Sequence, residues 1–339
     1  MSVDIRTTGI KPVRKSFEHL RERFGDKTAT RYQEIAYDTQ PTANFHYKPL
    51  WDPDRELYDP RRTAIRMQDW YAFKDPRQFY YGAYTMTRAK QQEALDRQME
   101  FVTKRDLLRE LPDDTQRRII STIVPLRHYE WGANMNNTHI AAYGYGTIIT
   151  QAAMMHATDR LGMAQHISRI GLLIDGNSGD SLSAARELWL EDDAWQGLRE
   201  RMEAMFVLDD WFELFVAQNL LTDGLVYPLF FEQLDSAMAI GNGPALSTVT
   251  DYLSTWHAES DRWVDACIKT AVKESDDNFA LLDGWISQWL PGLIDALRPL
   301  AHLGLGEAGD AAMDDVAGGL AQRLGKLGLS VPDGVGVAA

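Results

Sequence analysis

From Trp131 to Thr158 the chain runs for 28 residues without a single Asp, Glu, Lys or Arg. An uncharged stretch of that length either crosses a membrane or lies inside a large protein core. Its polar content decides between the two. Asn134, Asn136, Asn137, Thr138, His139, Gln151 and His156 all fall within it, and Gly144-Tyr145-Gly146 breaks it in the middle. A spanning helix does not carry that load. The stretch reads as the buried heart of a large helical bundle, and no membrane partner is expected.

The flanking periodicity supports a bundle. Pro112-Asp113-Asp114 is a helix-start signal. The pattern it opens places Ile119, Ile123, Leu126, Glu130, Ala133, Asn137 and Ile140 on one stripe. Pro125 lies inside that pattern, where a proline kinks or divides a helix. After the glycine break a second stripe runs Ala152, Met155, Asp159, Met163, Ile167, Ile170, Ile174, and Gly176-Asn177-Ser178-Gly179 ends it. Further helices are predicted at about 78–108, 181–204, 207–222, 225–240 (containing Pro228), 246–273 and 277–300. No run of alternating strand pattern stands out, and no repeat of solenoid length. The expected fold class is all-α. Three segments are expected: an extended N-terminal arm over 1–76, the bundle over 77–303, and a Gly- and Ala-rich C-terminal tail over 304–339 with one weak helix.

In the arm, Pro12, Pro41, Pro49, Pro53 and Pro60 forbid long helices, and aromatics cluster in Phe45-His46-Tyr47-Lys48-Pro49-Leu50-Trp51. Such a segment cannot bury its own aromatics. It wraps its own domain or lies on another chain.

The net charge is -14, against nucleic acid or an anionic membrane as partner. It is uneven: residues 1–111 carry 21 Lys+Arg and 17 Asp+Glu, and residues 112–339 carry 14 and 32. The one cysteine, Cys267, excludes an intramolecular disulfide and reads as a small buried apolar group. The first residues have no apolar signal region. A cytoplasmic location is expected. Gly304-Leu305-Gly306-Glu307-Ala308-Gly309 matches a dinucleotide fingerprint, but it follows a helix and has no sheet to host it.

Two carboxylates sit on apolar stripes: Glu130 and Asp159. Buried carboxylates are costly unless paired or metal-bound. Carboxylates facing a bundle core suggest a di-iron architecture, in which two helices each give a Glu and two others each give Glu-x-x-His. None of the eight histidines has a Glu three residues before it. His156 and Asp159 share a helical face, as a metal pair or, more commonly, as a hydrogen-bonded one.

Several stretches carry a family resemblance. They are Arg21-Glu22-Arg23-Phe24-Gly25-Asp26-Lys27, Phe45 to Pro53, Asp75-Pro76-Arg77-Gln78-Phe79-Tyr80-Tyr81-Gly82-Ala83-Tyr84, and His128-Tyr129-Glu130-Trp131-Gly132-Ala133-Asn134-Met135-Asn136-Asn137. Over roughly 20–300 the chain resembles the β subunit of the oxygenase component of bacterial multicomponent phenol hydroxylases, with toluene monooxygenase β subunits as close relatives. The resemblance implies a ferritin-like fold of the ribonucleotide-reductase small-subunit type. It implies a non-catalytic subunit in an α2β2γ2 assembly with a catalytic α subunit, which holds the di-iron centre, and a small γ subunit. A reductase fed by NADH and a regulatory protein would act on the complex, which inserts one oxygen atom of O2 into an aromatic ring. The arm would wrap the α subunit. No catalytic residue, cofactor or metal is expected in this chain.

Against the Asp-Glu-x-Arg-His segments of di-iron monooxygenases, Asp159-Arg160-Leu161-Gly162-Met163 puts Arg160 at the Glu and Met163 at the His. Glu259 to Asp265 puts Arg262 and Asp265 there. Glu130, Arg160, Met163, Arg262 and Asp265 are thus expected to be vestigial ligand positions. An arginine there is a permanent cation where a metal would sit, and a thioether is too soft for a hard iron site. Arg160 is expected to pair with Glu130 or Asp159. An active di-iron protein and a helical interaction or scaffold protein of an unrelated assembly are the competing readings.

Overall fold

Proline, glycine and capping side chains divide this chain into helices. In the computed structural model, which describes residues 18–40 and 48–332, ten helices follow the arm. They are α1 Tyr81–Lys104, α2 Asp113–Thr122, α3 Leu126–Tyr143, α4 Thr147–Ile174 and α5 Asp180–Glu191. The rest are α6 Asp193–Met205, α7 Trp211–Ala239, α8 Ala245–Glu274, α9 Asp276–Leu305 and α10 Gly309–Leu327. No strand element forms among the described residues.

The breaks have local causes. Pro125 offers no N–H to the helical ladder, so the first stripe divides into α2 and α3. Gly146, at φ +89°, makes the turn between α3 and α4 that a side chain would resist. Asp192 accepts from the Ala194 N–H at 2.9 Å and separates α5 from α6, where one helix over 181–204 was expected. The largest departure is α7. Two helices, 207–222 and 225–240, were expected, yet Trp211–Ala239 is continuous. It contains two π-turns, Val216–Thr222 and Leu229–Leu234, with Pro228 between them. Wider π-turns shift the helical register, which a fixed period of 3.6 cannot follow. This helix is long and apolar enough to cross a membrane, but 94% of its most apolar window is buried within the chain.

Helices α3, α4, α7 and α8 surround the polar centre of a ferritin-like bundle. The uncharged stretch is the α3–α4 hairpin, whose inner face buries Ala133, Ile140, Ile149, Ala153 and Ala157. Helix α9 runs along α6 and α7 and carries Pro291 and Pro299 within its length. Helix α10 packs on α9, burying Met313, Leu320, Leu324 and Leu327. Residues 309–327 are therefore part of the core, and the last residues, 333–339, lie outside the described residues.

The described part of the arm lies largely on its own chain. Thr30 and Gln33 form a capping box that starts the helix Arg31–Ala36. Tyr32, Ala36, Ile65, Trp70 and Phe73 are buried. Leu50 is fully exposed and Trp51 is 63% exposed. Residues 1–17 and the aromatics Phe45, His46 and Tyr47 lie outside the described residues.

Ending the chain at Leu305 should abolish folding. Each of the four buried α10 side chains contributes about 1.5–3 kcal/mol, and their sum approaches the whole stability of an ordinary domain. The measurement is soluble yield and far-UV circular dichroism of the truncated chain. A cooperatively folded product would show that α10 is dispensable.

Candidate functional site

The site is built from one turn of each of four helices. Glu130 comes from α3 and Arg160 with Met163 from α4, three residues apart on one face. Asp223 and Tyr227 come from α7, four apart, and His257 with Ser260 from α8, again three apart. Neither Glu130 nor Arg160 has any exposed surface. The Arg160 guanidinium donates through NH1 to Glu130 Oε2 at 3.0 Å and to the Tyr227 hydroxyl at 3.0 Å, and through NH2 to Asp223 Oδ2. Tyr227 donates to Glu130 Oε1 at 2.8 Å, with the Met163 sulfur 3.0 Å from its hydroxyl. Tyr129 donates to Asp223 Oδ1, and Gln218 Nε2 lies 3.1 Å from the same oxygen. Arg160 also lies 4.7 Å from the centroid of the Trp256 ring, in cation–π contact.

The charges explain the titration. Burial pushes the Glu130 and Asp223 carboxyls above the usual range, and Arg160 opposes that shift. Burial would lower the guanidinium, but Asp223, Tyr227 and Glu130 hold it well above its ordinary value. One cation faces two carboxylates, so Arg160 stays charged and the phenols supply the remaining hydrogen bonds.

Arg160 was expected to pair with Glu130 or Asp159. It pairs with Glu130, and its second carboxylate is Asp223. Asp159 belongs to a neighbouring cluster: it accepts from Arg88 at 2.9 and 2.7 Å, from Tyr84 at 2.8 Å and from Trp256 Nε1 at 2.9 Å. Trp256 thus separates the two clusters, its N–H on one and its face on the other. His156 does not join Asp159. It lies between Trp256 and Trp263, at 4.7 and 5.3 Å, and burial holds its pKa well below the ordinary value.

The α8 expectation needs correction. Arg262 is exposed, and Asp265 is half-buried and held by Arg323 of α10 at 2.8 Å. The residues of α8 buried at the level of the cage are Trp256, His257 and Ser260. His257 stacks on Tyr227, ring centroids 4.7 Å apart. Sequence reasoning also missed Asp223, although a lone acid in the apolar run Leu214–Phe231 is the same signal that marked Glu130. Dividing α7 near residue 223 concealed it.

Chemically the cage is closed. A di-iron centre does not fit it, because the guanidinium occupies the space between the carboxylates and cancels the charge that would attract a metal. Among the described residues, no three His, Cys, Asp or Glu side chains are grouped to hold a metal ion. Cys267 is buried, and burial pushes its thiol up, leaving it unreactive.

Residues 51–275 match the family model described as methane/phenol/alkene hydroxylase. The chain is 49% identical over 330 residues to the phenol 2-monooxygenase oxygenase component DmpL of Pseudomonas sp. (strain CF600), covering 97% of this chain and 98% of that one. It is 27% identical over 296 residues to the hydroxylase component subunit beta of the toluene-4-monooxygenase system of Ectopseudomonas mendocina, covering 83% and 87%. The fold superposes on the crystal structure of xenon-pressurised phenol hydroxylase from Pseudomonas sp. OX1 with a TM-score of 0.91 at 43% identity, covering 96% and 98%.

Replacing Glu130 by Ala should cost about 3–5 kcal/mol, because it leaves Arg160 with one carboxylate in a dry core. Chemical denaturation checks this, and unchanged stability would show that the pair carries no structural weight. A second expectation concerns pH. Burial, with Arg323 and Arg160 nearby, lowers His257 to about 3. The unfolded chain takes up this proton below about 6.5 and the folded chain does not. The His257 contribution is therefore complete above pH 6.5 and is lost as pH falls toward 3, at up to about 1.4 kcal/mol per pH unit. His257→Gln should flatten denaturation midpoints measured between pH 6.5 and 4.5, and an unaltered slope would assign the loss to other groups.

Proposed function

The chain belongs to the methane/phenol/alkene hydroxylase family, and from that premise we propose that it is the non-catalytic β subunit of a bacterial di-iron aromatic monooxygenase acting on phenol. The oxygenase components of phenol and toluene monooxygenases are its relatives, so it is a hydroxylase subunit of a multicomponent monooxygenase. In the finer reading it joins a catalytic α subunit that holds the di-iron centre and a small γ subunit in an α2β2γ2 complex. A reductase supplies NADH-derived electrons, a regulatory protein docks on the complex, and the assembly works in the cytoplasm.

The observation that carries the non-catalytic role is Arg160 locked between Glu130 and Asp223. A metal would have to displace a permanent cation that is better paired than any solvent could make it. An independent iron enzyme is disfavoured on that ground. A scaffold of an unrelated assembly is disfavoured by the 49% identity along almost the whole chain.

A second observation supports a partner. The outer face of the α3–α4 hairpin exposes Trp131, Met135, Met154 and Leu161, spaced four residues apart on α3 and seven on α4. No charged side chain lies between positions 131 and 158 to solvate it. Such a face suits an apolar helical surface of the catalytic subunit.

Co-expression with the catalytic subunit tests both points. Trp131→Asp combined with Met135→Asp should abolish co-purification while circular dichroism stays unchanged. The iron content of the complex should be the same with Glu130→Gln in this chain as in wild type. Iron that disappears with Glu130→Gln, or stoichiometric iron in the chain alone, would overturn the non-catalytic assignment.

A further inference from the structure

The carboxylates around Arg160 are arranged about a single positive charge. Glu130 Oε2 and Asp223 Oδ2 each meet a different terminal nitrogen of the same planar group. The two oxygens therefore converge on one guanidinium from α3 and α7. The Arg160 Nε has no partner at all, although it is buried. The side chain is thus held by its terminal nitrogens alone, as a charge between two anions rather than as a saturated set of donors. Around that guanidinium stand two neutral oxygens, the Tyr227 hydroxyl on Glu130 and the Tyr129 hydroxyl on Asp223, with the Gln218 amide nitrogen donating to Tyr129 at 3.0 Å.

We propose that Arg160 is an internal substitute for one divalent cation, and that the cage without this side chain is a mononuclear site for a hard divalent ion. The inference rests on the reading of the cage as metal-free in the native chain. Its physical basis is charge. Take away the guanidinium and two buried carboxylates are left without the cation that pairs with both. A group in that position must take up a proton or a cation. One divalent ion neutralises both carboxylates at once, at the place where the guanidinium nitrogens lay. The donor set is carboxylate and hydroxyl oxygen with the soft Met163 sulfur at its edge, which favours Mn2+ or Mg2+ over ions that prefer nitrogen or thiolate. A single ion is expected, because one guanidinium spans both carboxylates.

The experiment uses the full chain carrying Arg160→Ala or Arg160→Ser, expressed and refolded with either Mn2+ or a chelator. Both variants should lose thermal stability in chelator. Mn2+ should restore roughly 5 °C or more of the midpoint when free ion is about 100-fold above Kd. Electron paramagnetic resonance should count about one bound Mn2+ per chain. Wild type and Arg160→Lys should take up none, because each keeps a cation in the cage. Adding Glu130→Gln and Asp223→Asn to Arg160→Ala should remove the response. The inference is overturned if neither small variant gains Mn2+ or stability from it. It is equally overturned if both stay insoluble with the ion present, or if the triple variant responds as the single one does. Stoichiometric metal in the wild-type chain is a different result: it defeats the non-catalytic assignment itself.

Discussion

Everything at the centre of this molecule depends on how one buried guanidinium is compensated. Arg160 has no contact with water, and an uncompensated charge there would cost more than most domains have in total stability. Glu130, Asp223 and Tyr227 must reach it from α3 and α7 together. Those two helices cannot shift relative to α4 without breaking a charge-assisted hydrogen bond. The cage therefore fixes the register of three of the four central helices. The fourth, α8, is fixed by Trp256, whose ring face lies on Arg160 and whose N–H reaches Asp159. A buried ion pair is weak evidence for net stability, since an apolar core of the same volume is often as good. Its value here is positional: few side-chain arrangements satisfy it, and all of them use this helix packing.

The two π-turns of α7 belong to the same constraint. An α-helix presents residues to one side every three or four positions, whereas α7 must supply Gln218, Asn219, Asp223 and Tyr227 to the interior. All four are buried, and each has a polar partner there. Each π-turn inserts an extra residue per turn and widens the arc of the helix that faces inward. Gln218 and Asn219 then reach Asn136 and Asn137 of α3 at 2.9 and 3.0 Å. Thr222 closes the first π-turn by donating to the Ala217 carbonyl at 2.6 Å. The irregular helix and the polar interior are thus one feature.

Much of this was legible in the residues, and the exceptions have physical causes. The all-α class, the α3–α4 hairpin with its glycine turn, and the inward direction of Glu130 follow from apolar period and composition, whereas the place of Arg160 follows from its likeness to the di-iron family segment. Asp223 was hidden because π-turns break the 3.6-residue period on which stripe reading depends, so α7 read as two helices ending at that residue. Arg262 was misplaced because a motif was matched by residue order. The apolar stripe of α8, running Leu253, Trp256, Trp263, Cys267, already put 257 and 260 near the core and 262 outside it. The packing of α10 was concealed by its glycines and alanines, which look weak in isolation. In place Ala312 and Ala317 are buried, and at Gly309 the helix comes so close to α9 that a Cβ would have no room beside the backbone of His302.

In α3 and α4 the inner face holds Glu130, Arg160 and the amide groups, and the outer face exposes Trp131, Met135, Met154 and Leu161, with charge only toward the far end of the hairpin at Arg127 and Arg169. That inverts the arrangement of a helical hairpin meant to stand alone in water, whose outer face would be charged. A polar interior demands rigid positioning, and an apolar exterior demands cover. A subunit that supplies no chemistry of its own has a use for both, because a stiff, ion-locked hairpin presents its apolar face with little entropy left to lose on binding. In the proposed reading, the closed cage is what gives another subunit a rigid surface to bind. In that reading, the guanidinium that fills the centre of the bundle also stiffens the wall on which a partner would rest.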